Sequence, residues 1–133
     1  MKKFSNLNET FKFTQTEQSR ANKLYLLVEF AGGDADTEHP EYKEFKNIKF
    51  SEYQNHLDEI NEVVNEYKIL KDILQDTDAK YDDVKSEYGD KIARLFDNAP
   101  NDPEADYQFK CYIDSIKLVG YDEQGNKHEA WVR

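Results

Sequence analysis

Four carboxylates, a threonine and a histidine crowd into FAGGDADTEHPEY, residues 30–42, directly after two glycines. Oxygen and imidazole donors at this density suggest a cation first. A calcium loop needs glycine at its sixth position and a bidentate glutamate at its twelfth. Counted from Asp34, those places hold His39 and Phe45, so the pattern fails. Zinc is served no better: His39, His56 and His128 are far apart in sequence, and Cys111 is the only cysteine. No metal is expected. The glycines point elsewhere. Gly32 and Gly33 let a backbone approach a ligand closely, and consecutive amides can form an anion nest. Asp34, Asp36 and Thr37 beside them suit sugar hydroxyls. The competing reading is a strand-ending turn with Asx-type hydrogen bonds, and spacing alone favours the turn.

A second constellation starts at Arg94 in RLFDNAPNDPEADYQ. Arg94 suits bidentate phosphate binding, Phe96 suits stacking on a purine, and Asn98 suits a base edge. The structural alternative puts Phe96 in the core and Asn98 at a helix C-terminus. Nothing matches GxSxG, HExxH or a phosphate-binding GxxxxGK[ST] loop, and no Ser or Cys has a diagnostic His partner. The expectation is a non-enzyme that needs no cofactor.

These residues must be positioned by a chain of 133 residues, the length of one domain with one modest core. Hydrophobic residues make up 38% and aromatics 14%, which argues against disorder despite 35% charged residues. A formal charge of −10 disfavours bulk nucleic acid and anionic membranes. An anionic ligand then needs a locally cationic or amide-lined pocket. The longest apolar run, LYLLV, is too short to span a bilayer. A single cysteine and the lack of an apolar segment after Lys2 and Lys3 point to a cytoplasmic protein.

The expected fold is α+β: an antiparallel sheet made of N-terminal and C-terminal hairpins, with two central helices. FKFTQT (11–16) alternates as a half-buried strand and is expected to pair with KLYLLVEF (23–30), a central strand. A third extended piece is expected in YKEFKNIKF, with Ile48 and Phe50 in phase. Ser51 and Gln54 suggest a capping box opening a long helix. Its stripe is Tyr53, Leu57, Ile60, Val64, Tyr67 and Leu74, widened by Val63, Ile69, Leu70 and Ile73. A second helix is expected over 79–97, with Tyr81, Val84, Tyr88, Ile92, Leu95 and Phe96 inward, weakened or kinked at Gly89. It should stop at NAPNDP. In the last hairpin, Cys111 and Ile113 hold one phase while Ile116 and Leu118 hold the other, which predicts a β-bulge near Asp114 and Ser115. Gln124-Gly125-Asn126 supplies the turn. The long helical stripe leaves room for packing against a second copy, and its acidic face resembles a mimic of DNA phosphates.

The stretches LYLLVEFAGGDADTEHPEY, FSEYQNHLDEI and LFDNAPNDPEADYQFKCYIDSIKLVGYDEQGNKHEAW, in that order, resemble the first-described type of Thoeris anti-defence sponges of phages. The resemblance runs from about Lys23 to near the end of the chain. It implies an antiparallel sheet with long, partly kinked helices, assembled as a homo-oligomer (dimer or higher). It also implies a non-catalytic activity in the cytoplasm of an infected bacterium: capture of a cyclic ADP-ribose isomer made by a TIR-domain enzyme. In that family an aromatic stacks on adenine, an asparagine contacts it and arginines hold phosphates, roles that Phe96, Asn98 and Arg94 would fill here. The alternative function is an acidic inhibitor that binds a basic host or defence protein directly.

Overall fold

A computed structural model describes residues 23–32, 36–101 and 110–132, with the side chains of 36–39 outside that description. The N-terminal hairpin expected of 11–16 with 23–30 falls partly outside the described residues. The rest is α+β, as expected: a four-stranded antiparallel sheet with helices against one face.

Strand β1 (Leu24–Gly32) is central and is flanked by β2 (Asp36–Phe45) and β3 (Tyr112–Tyr121). The last strand, β4 (Lys127–Trp131), pairs with β3, giving the order β2-β1-β3-β4. A dense β-former run such as LYLLV suits a strand covered on both faces. Leu24, Leu26, Val28 and Phe30 meet the helices, while Tyr25 is buried on the other face with Val119 and Tyr121.

Strand β2 corrects the reading of 42–50. It starts at Asp36, ends at Phe45 and leaves Ile48 and Phe50 outside the strand. DTEHPEYKEF is charged and carries Pro40, which is the composition of an edge strand that discourages further pairing. Gly32 pairs with Asp36, so β1 and β2 are antiparallel partners consecutive in the chain.

The long helix also begins differently. Phe50–His56 form a 3-10 segment, and α1 runs Leu57–Leu74; neither start has a side-chain cap. The capping box at Ser51 and Gln54 is therefore absent. The 3-10 geometry instead brings Phe50 and Tyr53 together, with ring centroids 5.7 Å apart. The stripe on α1 holds: Ile60, Val64, Tyr67, Leu70, Ile73 and Leu74 are buried.

At Gly89 the expected second helix is broken outright into α2 (Tyr81–Tyr88) and α3 (Asp90–Asn98). Gly89 has φ +93 and ψ 174, a region essentially reserved for glycine. The break rotates α2 outward. Val84 is its only buried residue, and Tyr81 and Tyr88 are exposed instead of inward. A Cβ at position 89 would meet nothing within 4 Å. Gly89→Ala should therefore lose stability through backbone strain alone, by about 1–3 kcal/mol in urea denaturation.

The bulge lies where expected. Glu29 pairs with Ser115 but Phe30 pairs with Ile113, so Asp114 is the extra residue. It returns Cys111, Ile113, Ile116 and Leu118 to a single buried cluster under the helices. The hairpin turn also holds, with Gly125 at φ +81.

Candidate functional site

The connection from α1 to α2 walls a cleft of about 230 Å³, lined by Leu74, Asp76, Thr77, Ala79, Lys80 and Tyr81, with Phe96 of α3 and Lys110 opposite. Its shape has local causes. Helix α1 ends in backbone bonds from the Gln75 and Asp76 amides to Asp72 and Ile73 carbonyls. Asp76 Oδ1 then accepts the Asp78 amide at 2.9 Å, an Asx turn that reverses the chain. Lys80 is extended and gives α2 no side-chain cap, and the first α2 bond is the Val84 amide to the Lys80 carbonyl. The first-turn amides of α2 therefore lack intrahelical partners, at the positive end of the helix.

On the far wall, Lys110 Nζ donates to the Asp97 and Ala99 carbonyls at 2.9 and 3.0 Å. Helix α3 has no basic residue in its own last turn, so Lys110 supplies the cation its C-terminus favours. The same ammonium sits 5.9 Å from the Phe96 ring centroid. The Cys111 amide bonds the Pro100 carbonyl at 2.8 Å, which ties α3 to the start of β3.

The structure places the sequence candidates apart. Phe96 is 6% exposed and lines the cleft from the core side. Arg94 and Asn98, two residues to either side, are exposed on the outer face of α3. The three do not converge. Tyr81, at 38% exposure on the rim, is the aromatic ring available for stacking. Gly32 ends β1, Gly33 and Asp34 lie outside the described residues, and Asp36 and Thr37 are strand residues whose side chains are not described. Even so, Ala31 pairs with Tyr112, so Gly32 and the Phe96–Lys110 wall occupy the same end of the sheet.

Lys80, Lys110, Thr77 and Tyr81 were missed. Tyr81 has a helical phase that points inward only if the helix is continuous through Gly89. For Lys80 and Thr77, a polar loop carries no local signal, and Lys110 falls in sequence at the start of the last hairpin, where nothing marks it for binding.

A histidine–carboxylate pair lies elsewhere. His128 Nε2 is 2.8 Å from Asp122 Oδ2, and Phe50 stacks on the imidazole at 4.3 Å. His128 Nδ1 is buried and has no hydrogen-bond partner among the described residues, and Nε2 is taken by Asp122. Asp122 Oδ1 accepts the Gln124 and Asn126 amides, which makes the pair a brace for the β3–β4 turn. Burial raises the Asp122 pKa, but the bonds from His128 and Asn126 outweigh it and hold the carboxyl below its ordinary value. A depressed folded pKa gives stability present above the unfolded value, about 4, and lost as pH falls through the folded one. The stability advantage of the parent over Asp122→Asn should thus shrink below about pH 4, read by denaturation at several pH values.

Among the described residues, no group of three His, Cys, Asp or Glu side chains could hold a metal ion. No helix among them is long and apolar enough to cross a membrane. No protein-family model, curated relative or solved structure matches the chain.

Proposed function

We propose that the protein sequesters, without chemical conversion, a compact cyclic adenine-nucleotide signal of the cyclic ADP-ribose type, and so blocks a bacterial anti-phage defence. It acts as a homo-oligomer in the host cytoplasm. The observation that supports this reading is the juxtaposition of an exposed aromatic, Tyr81, with the ammonium groups of Lys80 and Lys110 around one cleft.

Stacking on Tyr81 contributes about 1–3 kcal/mol, and each charge-assisted phosphate bond about 1.5–3 kcal/mol. The cleft is smaller than the ~300–1,000 Å³ common for drug-sized ligands, so it holds one part of the ligand and leaves the remainder at the rim. Sequestration needs slow release and enough sites, and no transition-state machinery.

Calorimetry with cyclic ADP-ribose isomers tests the reading, with heat release of the bound molecule afterwards. The expected result is saturable binding and recovery of unaltered ligand. Tyr81→Ala should weaken binding about 5–150-fold while the circular dichroism stays that of the parent, because Tyr81 is largely exposed. Absence of binding, or release of a hydrolysed product, overturns it.

The second reading is direct inhibition of a basic protein. It is favoured by exposed acids clustered on α1 (Asp58, Glu59, Glu62) and on α2 (Asp82, Asp83, Glu87). A salt-sensitive pulldown, lost when those acids are neutralised, would identify that activity instead.

A further inference from the structure

At the opposite end of the sheet from the cleft, the charge of this acidic molecule reverses locally. Leu24 pairs with Phe45 on one side and Gly120 on the other, which brings Lys23 beside the chain that leaves β2. That chain turns at Lys46 and Asn47, with Asn47 in the left-handed region at φ 65. A cavity of about 570 Å³ opens there, lined by Lys23, Glu44, Phe45, Lys46, Asn47, Ile48 and Lys49. Three lysines face one glutamate in a chain where acids outnumber bases 28 to 18.

Glu44 accounts for Lys23, at 3.3 Å. Lys46 and Lys49 have no carboxylate within salt-bridge distance among the described residues, whereas Lys91, Lys117 and Lys127 each hold one at 2.8–3.0 Å. Two free ammonium groups beside a cavity concentrate positive potential, and low-dielectric walls focus it. Phe45 and Ile48 are buried and form the floor. The lining aromatic, Phe45, is buried and offers no free face, and neighbouring Phe50 has His128 stacked at 4.3 Å and Tyr53 at 5.7 Å. Recognition here therefore rests on charge and not on stacking. Lysine binds phosphoryl groups as a mobile point charge, which suits a compact anion more than a planar fork.

We infer that this groove is an anion site, separate from the cleft at α2, which takes a compact, multiply charged phosphoryl or carboxylate ligand through Lys46 and Lys49, with Lys23 at its edge. It holds whether or not the cleft takes an adenine nucleotide.

The test is a titration of the whole protein with inorganic pyrophosphate and, in a second arm, with citrate, followed by amide chemical shifts at low and at physiological salt. Saturable shifts at residues 44–50 are expected. Tighter binding of pyrophosphate assigns a phosphoryl ligand, and tighter binding of citrate a polycarboxylate. Lys46→Gln with Lys49→Gln should weaken binding about tenfold or more at low salt. Lys68→Gln, at an exposed lysine on α1, should leave it unchanged and so controls for net charge. No saturable shift at 44–50 overturns the assignment, as does an equal loss in the Lys68 variant, which would mean diffuse attraction only.

Discussion

Phe30→Ala is expected to lower the unfolding free energy by about 3–5 kcal/mol, the range for removing a buried aromatic ring. Phe30 is 1% exposed on the central strand, between His39 of β2 and Ile113 of β3. Its environment cannot close over the vacancy. The backbones on both sides are fixed by ladder hydrogen bonds, and the bulge at Asp114 sits beside it. Limited collapse places the cost at the upper end, because the residual cavity adds to the lost transfer energy. Phe30→Leu, which keeps most of the volume, should cost about 1–2 kcal/mol. Urea denaturation of both variants reads the difference. Similar small losses, under about 1 kcal/mol each, would mean that this end of the sheet repacks freely. That would also remove the rigid backing of the Lys110–Phe96 wall.

How much of this architecture was legible depends on whether a residue's role is set by its neighbours in sequence. The bulge was legible because a period-2 pattern that changes phase between Ile113 and Ile116 has few other physical explanations. The α1 stripe was legible because 3.6-residue spacing persists over five turns. Strand β2 was not. DTEHPEYKEF has neither alternation nor β-formers in quantity, and it is a strand because β1 offers it a ladder. The 3-10 start of α1 was hidden for a similar reason. Ser51 and Gln54 have the composition of a cap, but burial of Tyr53 against the core sets the local geometry.

The site divides along the same line. Phe96 stands out in sequence because it is aromatic and near a helix end, and in the structure it lines the cleft. The grouping with Arg94 and Asn98 is undone by helical phase: residues two apart point to nearly opposite sides, so burial of Phe96 turns the other two to solvent. Tyr81 became available only because Gly89 swings α2 away from the line of α3. Lys110 forms an isolated antiparallel bridge with Asn101, and the topology alone brings it to the end of α3. Sequence alone assigns Gly89 only a cost within a helix; in the structure it decides which tyrosines face water.

The face of the sheet away from the helices supplies the other large effect. Glu29 Oε1 accepts from Lys117 Nζ at 3.0 Å and from Ser115 Oγ at 3.1 Å, and the ion pair is only 17% and 20% exposed. Lys117 also lies 4.3 Å from the Trp131 ring centroid, which leaves its ammonium between a carboxylate and an aromatic face. Glu29→Ala should cost about 2–4 kcal/mol, because a partly desolvated cation and a hydroxyl lose their acceptor together. The figure lies below that for a fully buried pair because some solvent reaches both groups, and the Trp131 ring still offsets part of the charge. Removing both charges should be milder: Glu29→Leu with Lys117→Met is expected to cost about 1–2 kcal/mol, since apolar side chains of similar volume replace a pair whose attraction was largely offset by desolvation and only the Ser115 hydroxyl loses its acceptor. A double-mutant cycle by urea denaturation separates the contributions. A cycle with no coupling between the two positions would show the cost of Glu29→Ala to come from lost packing and the lost Ser115 bond, and the ion pair would then contribute nothing beyond the volume it fills.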